Sequence, residues 1–196
     1  MIELPDSPAP NGIQIALRDF GVTLRPPTGG AADRLNRKGN RHRASVTFPP
    51  MQPAVARVFI ARLKRAKTQG LRIALPLLVP QGSPGAPVVN GAGQAGTTLN
   101  VRGLQPGYIA REGYWLSIVD ATGRHYLHSL CTTVRVGDAG TAAFVLDPEL
   151  RWPFADGAAI HLARPMIEGF VEGDEWSWTI PLHRLVSVEF PIEEAA

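Results

Sequence analysis

The residues whose spacing comes nearest to known chemistry are three glycines and two histidines. Gly91, Gly93 and Gly96 satisfy G-x-G-x-x-G, a spacing that lets a backbone loop cradle a pyrophosphate when the loop opens a helix. Here the loop is followed by Thr97–Gly103, which reads as a strand, with Pro106 and Gly107 close behind. With no helix N-terminus after it, the loop is expected to be a glycine turn joining loop to strand. His125 and His128 offer two imidazoles three residues apart, but positions i and i+3 of a strand point to opposite faces and cannot clasp one metal ion. His42, His161 and His183 stand apart from them, without Cys or paired-carboxylate spacing. Ser83 and Ser117 sit in no nucleophile-elbow pattern. Asp147, Glu149, Asp156, Asp174 and Glu175 fall largely where turn chemistry wants them. The expectation is a chain with no catalytic, cofactor-binding or metal-ligating residue.

The elements around these residues read as a β scaffold. Between Gly113 and Leu162, strands are expected at Tyr114–Val119, Arg124–Val136, Thr141–Leu146 and Ala158–Ala163, punctuated by turns at Asp120–Gly123, Gly137–Gly140 and Ala155–Gly157. Ala44–Phe48 alternates as a strand and is expected to stop at Pro49–Pro50. A helix follows from Pro53 to about Gln69, with Val55, Phe59, Leu63 and Ala66 in an apolar stripe beside Ala56 and Ile60. Pro53 suits its first turn, Gly70 its stop, and the basic residues near its end suit the macrodipole. Leu71–Leu78 resumes as a strand, and Val79–Gly96 reads as a long Pro/Gly loop leading into an inserted β module that ends near Arg164–Pro165. Ile167–Val171, Trp176–Ile180 and Leu185–Phe190 then look like closing strands that return to the N-terminal ones. Arg25–Arg43 has little apolar content and no clean period, so a long basic loop is expected, mobile in the free subunit and ordered only against a partner. The fold class is mainly β: residues 1–80 with 166–196 form a β-sandwich carrying one flanking helix, and residues 81–165 form an inserted small β-barrel.

A length of 196 residues allows one good core, or one domain carrying a second small one. The single cysteine, Cys131, rules out an internal disulfide framework and is expected as an inert buried strand thiol of a chain made in a reducing cytosol. Prolines and polar residues interrupt the N-terminus, and no apolar run approaches about eighteen residues, so neither a signal peptide nor a membrane span is expected. Residues 1–72 stand at a net +9 and residues 73–196 at −6. That polarity fits head-to-tail stacking of subunits or, equally, a set of basic surface loops. The run Arg34, Arg37, Lys38, Arg41 and Arg43 lacks aromatic residues for base stacking and is assigned to an inter-subunit or inter-ring contact rather than to nucleic-acid recognition. Trp115, Trp152, Trp176 and Trp178 are assigned to core or subunit-interface roles.

Taken in order, these features resemble a family. Residues 45–51, the helix with Ala56, Phe59 and Leu63, then Gly70 and Ile73–Pro76 are similar to the N-terminal part of small distal tail, or baseplate ring, proteins of long-tailed, siphovirus-like bacteriophages and prophages. Residues 89–96, 123–136, 137–140, 148–151 and 155–157, followed by 176–180 and 186–190, resemble the remainder. The stretch Arg25–Arg43 departs from the pattern by its many charges. The resemblance implies a tail-tube-like β-sandwich that forms a ring, typically a hexamer, between the tail tube protein and the tip hub protein of the virion. It implies a lumen through which tape-measure protein and then DNA pass without sequence-specific binding, and synthesis in the cytoplasm of a bacterial host. It implies no enzyme activity and no cofactor, and it carries over no catalytic residue. A host-surface glycan-binding module, using Trp115 or Trp152, is the alternative.

Overall fold

Alternating apolar and β-branched residues build strands through most of this chain, and the computed structural model, which describes residues 1–173, 178 and 185–195, is mainly β with one helix. In chain order the elements are β1 (Ile2–Glu3), β2 (Gly12–Arg18), β3 (Val22–Leu24), β4 (Asp33–Leu35), β5 (Arg41–Met51), α1 (Pro53–Gln69), β6 (Leu71–Ala74), β7 (Gly85–Val89) and β8 (Gly96–Leu104). There follow β9 (Ile109–Ala110), β10 (Trp115–Val119), β11 (His125–Leu130), β12 (Val134–Arg135), β13 (Ala142–Leu150), β14 (Ile160–His161), β15 (Met166–Val171) and β16 (Val186–Glu194).

Two six-stranded sheets dominate. The first, in order β1-β6-β15-β16-β5-β2, is antiparallel except where β1 runs parallel to β6. The second runs β14-β10-β11-β13-β8-β7. Its outer strands meet through the Val88–Ala159 bridge and a 2.9 Å bond from Val89 N–H to the Ala158 carbonyl, so it is nearly a closed barrel. Two short pairs, β3–β4 and β9–β12, complete the β structure. We refer to the first sheet with α1 as the sheet lobe and to the second as the barrel lobe.

Each lobe has its own core. In the sheet lobe Ala44, Val46 and Phe48 of β5 and Val188, Phe190 and Ile192 of β16 alternate inward. They meet Ala56, Phe59, Leu63 and Ala66 of α1, with the rings of Phe48 and Phe59 in edge contact at 5.0 Å. In the barrel lobe Leu99, Val101, Leu116, Ile118, Phe144 and Leu146 fill the interior. Strand β11 serves both: Tyr126 and Leu130 belong to the barrel core, whereas Leu127 belongs to the sheet-lobe core. A strand buried on both faces loses the polar–apolar alternation of a surface strand, as the sequence His125–Leu130 does.

The helix forms where its period and its end signals put it. Pro53 occupies its first turn, and Gly70, at φ 76°, donates to the Ala66 carbonyl at 2.8 Å. Its buried stripe runs through Ala56, and Val55 is exposed instead. No described helix is long and apolar enough to cross a membrane.

Several expectations are corrected. Strand β5 continues through Pro49 and Pro50 to Met51. Its pairing with β2 ends at Thr47, so the prolines lie where one side has no ladder to lose, beside a register shift against β16. Arg25–Arg43 is not a structureless loop: it takes in the second strand of the β3–β4 hairpin and the start of β5. The Pro/Gly stretch after Val79 contains β7. The strand expected over Arg124–Val136 divides into β11 and β12, and the barrel strand after Thr141 runs on to Leu150. Cys131 sits at that division and is exposed, not buried. Strands β1 and β2, at opposite ends of the first sheet, carry little sequence signal, because Pro5, Pro8 and Pro10 obscure the alternation around them. The strand expected at Trp176–Ile180 lies outside the described residues, apart from Trp178.

Candidate functional site

Four of the exposed apolar side chains, Leu17, Val22, Leu24 and Leu35, come from one margin of the sheet lobe. Among the described residues, strand β2 pairs with β5 on one side only and is the outermost strand of its sheet. A seven-residue edge strand leaves a row of backbone donors and acceptors open to another chain. The chain leaves β2 at Leu17, which is 43% exposed, and enters the β3–β4 hairpin, where Val22, Leu24 and Leu35 are 41%, 54% and 54% exposed.

The base of that hairpin is fixed by its own polar residues. Phe20 lies between the guanidinium groups of Arg18 and Arg41, each 5.3 Å from the ring centre, and Phe20 N–H donates to Asn40 Oδ1 at 2.8 Å. Arg34 pairs with Asp19 and donates to Thr23 Oγ1 and Asn36 Oδ1, both at 3.1 Å. The Gly21 amide and then Arg34 hold the Asp19 carboxyl below its usual range. The hairpin is therefore held at its root while its apolar side chains project.

The sequence-assigned contact residues divide accordingly. Arg34 and Arg41 brace the hairpin, and Arg43 pairs with Glu172 at 2.5 Å across the open face of the sheet. Arg37 and Lys38 are exposed beside the turn into β5. That open face also carries Arg18 against Glu193 at 2.5 Å and Ser45 Oγ donating to Glu189 at 3.3 Å. These pairs bring basic N-terminal strands against acidic C-terminal ones, so on this face the polarity along the sequence is cancelled in space.

The tryptophans fall in different places. Trp115 is half-buried, edge-on to His42 with ring centres 5.1 Å apart, and its backbone N–H donates to Gln81 Oε1 at 2.7 Å. It borders a groove of about 410 Å³ lined by Ile13 and Ile15 of β2, Leu77, Leu78 and Tyr114. Trp152 is 53% exposed on the barrel lobe. Trp178 lies near α1, with Lys64 Nζ 5.3 Å from its ring centre. Trp176 lies outside the described residues.

The candidates for chemistry have structural roles. Gly91, Gly93 and Gly96 all take positive φ, and Gly96 begins β8, not a helix. Their loop is closed by Gln94, whose side chain bonds Asn90, Gly91 and Asn100, and by Asp156 accepting from Gly91 N–H at 2.7 Å. Arg102 and the Gly91 amide depress the Asp156 carboxyl to about 2. Ser117 Oγ and His125 Nδ1 are 3.2 Å apart, but Ser117 is wholly buried and its oxygen accepts the Met166 N–H at 3.0 Å, which leaves a substrate no approach. His125 and His128 do face opposite ways: His128 Nδ1 lies 2.8 Å from the Pro148 carbonyl. Among the described residues no three His, Cys, Asp or Glu side chains are grouped as a metal site.

The sequence reading missed the polar residues at the meeting of the lobes. Glu194 is 2% exposed; its Oε2 accepts from His42 N–H at 2.5 Å, and its Oε1 accepts from Leu127 N–H at 2.9 Å and Arg151 Nη2 at 2.8 Å. Burial would raise this carboxyl, but the bonds and charges of His42 and Arg151 prevail and hold it at about 2. On the other side of β11, Arg72 donates to Glu168 at 2.7 Å and to the Gly123 carbonyl at 2.5 Å. The hairpin apolars had a visible signal: Val22, Leu24 and Leu35 flank a Pro/Gly turn.

No protein-family model matches the chain, and no curated protein matches it in sequence.

Proposed function

We propose that this chain is a structural, ring-forming subunit without catalytic activity, of the distal tail or baseplate ring kind that its motifs resemble. The observation that carries the reading is the open edge strand β2 running directly into a braced hairpin with exposed Val22, Leu24 and Leu35. An unpaired edge and projecting apolar residues are liabilities in a monomer and become satisfied in a closed ring of identical copies. The open face of the sheet supports the same reading. Its charges are paired across strands, through Arg18–Glu193 and Arg43–Glu172, which suits the wall of a channel that tape-measure protein and DNA traverse without binding. In this account the ring joins the tail tube protein to the tip hub protein.

The test is the double substitution Leu24→Lys with Leu35→Lys, which sets a lysine opposite Asp33 in the hairpin ladder. Both side chains are exposed, so the monomer should keep its stability within about 0.5 kcal/mol. The variant should fail to form rings, alone or with tail partners, by light scattering and negative-stain imaging. Rings that assemble as readily as those of the unmodified chain would overturn the assignment.

A further inference from the structure

The seam between the lobes is polar where most protein interiors are apolar, and its polar groups are arranged around β11. On one face of that strand is His125, whose Nδ1 lies 3.2 Å from Ser117 Oγ, the same oxygen that accepts the Met166 N–H at 3.0 Å. The relay runs from β15 in the sheet lobe to β10 and β11 in the barrel lobe. Beside it lie Arg72 of β6, which also bonds Gly123 and Glu168, His161 of β14 with its ring centre 5.2 Å away, and Asp120 in the β10–β11 turn.

On the other face is His128, wholly buried. Its Nδ1 donates to the Pro148 carbonyl, so its Nε2 is the bare nitrogen, and Nε2 has no hydrogen-bond partner among the described residues. The charged and titratable neighbours are Arg151 after β13, Glu194 of β16 and His42 of β5. Both Glu194 oxygens are already engaged, and among the described residues Arg151 Nε and Nη1 also lack acceptors. A proton added to His128 therefore creates a buried donor with no acceptor among them, and a proton added to His125 places a buried charge beside Arg72; each arginine ties one lobe to the other.

We propose that β11 is an acid-sensitive seam, in which protonation of His125 and His128 parts the barrel lobe from the sheet lobe while each lobe keeps its own core. Burial, with Arg72 or Arg151 nearby, lowers both histidines to about 4. If the open seam returns each ring to its ordinary 6.5, opening at pH 5 is favoured about 20-fold per histidine over opening at neutral pH. Each core keeps most of its apolar contacts, because Leu99 and Phe144 in the barrel and Phe48 and Phe59 in the sheet lobe come from elements other than β11, which gives only Leu127 to the sheet-lobe core.

The experiment is hydrogen exchange on the full chain from pH 7.5 to 4.5, corrected for intrinsic exchange, with imidazole titration by NMR. The amides of His42, Leu127 and Met166, which bond across or at the seam, should lose protection at least about tenfold. Those of β8 and β13 should not change. A parallel loss in all of them would mean ordinary acid unfolding and would overturn the proposal, as would unchanged protection at the seam. So would either histidine titrating near 6.5 in the closed protein. The double variant His125→Gln with His128→Gln should flatten the pH response; if it does not fold, the titration of the unmodified chain decides alone.

Discussion

Glu194 sits one strand-end away from three elements it holds together: its carboxylate receives the amides of β5 and β11 and the guanidinium of Arg151. Replacing it with Gln keeps the shape and removes the charge, leaving Arg151, 6% exposed at its side chain, without a counter-ion. Breaking a buried pair in this way costs about 3–5 kcal/mol, so Glu194→Gln is predicted to lower the unfolding free energy from urea titration by that much; a change below about 1 kcal/mol would contradict the role assigned to the carboxylate. The histidines set the acid limb of stability. Each has a folded value near 4 against an ordinary 6.5, so the unfolded chain binds more protons between those values. Their contribution is complete above about pH 6.5 and is lost as pH falls towards 4. For wholly buried His128 the loss amounts to about 3 kcal/mol. Glu194 acts lower: its contribution is present above its ordinary 4.5 and disappears as pH falls through about 2. Denaturant stability measured from pH 8 to 4 should decline steadily below 6.5, and a flat profile would show that these imidazoles are not held neutral.

At the scale of elements, close backbone approach matters as much as side-chain packing. Gly169 of β15 faces the Glu193 carbonyl of β16 so closely that a Cβ would fall 1.8 Å from that oxygen. Gly169→Ala is therefore predicted to cost more than about 4 kcal/mol or to prevent folding of the sheet lobe; a melting temperature equal to that of the unmodified chain would refute the tight β15–β16 approach. How far such elements are legible in sequence depends on how local their causes are. Helix α1 was readable because Phe59, Leu63 and Ala66 recur at its period between Pro53 and Gly70. Strands β3, β4 and β7 were hidden because they are short and lie among prolines and glycines that also spell loop. Pro49 and Pro50 misled because a proline is forbidden only where its strand has a ladder to complete on both sides. The seam was illegible for a different reason: Glu194 meets His42, Leu127 and Arg151, which lie 152, 67 and 43 residues away, and no local pattern announces such partners.

At the scale of the whole molecule, two cores share one strand, β11, and among the described residues the sheet lobe keeps one long margin open at β2. Part of the separation of charge along the sequence, +9 against −6, is offset within the chain, since Arg18, Arg43 and Arg72 each pair with a glutamate of the other half. For assembly the chain offers backbone and apolar surface: the β2 edge, the hairpin side chains and the groove beside Ile13 and Ile15. The most direct measurement is the mass of the purified chain by light scattering across protein concentration and salt, alone and with tail tube and tip hub proteins added, with negative-stain images of any large species. The account predicts a closed ring, formed alone or on addition of those partners, that persists at high salt because its contacts are not chiefly ionic. A chain that stays monomeric at every concentration and in the presence of both partners would contradict it.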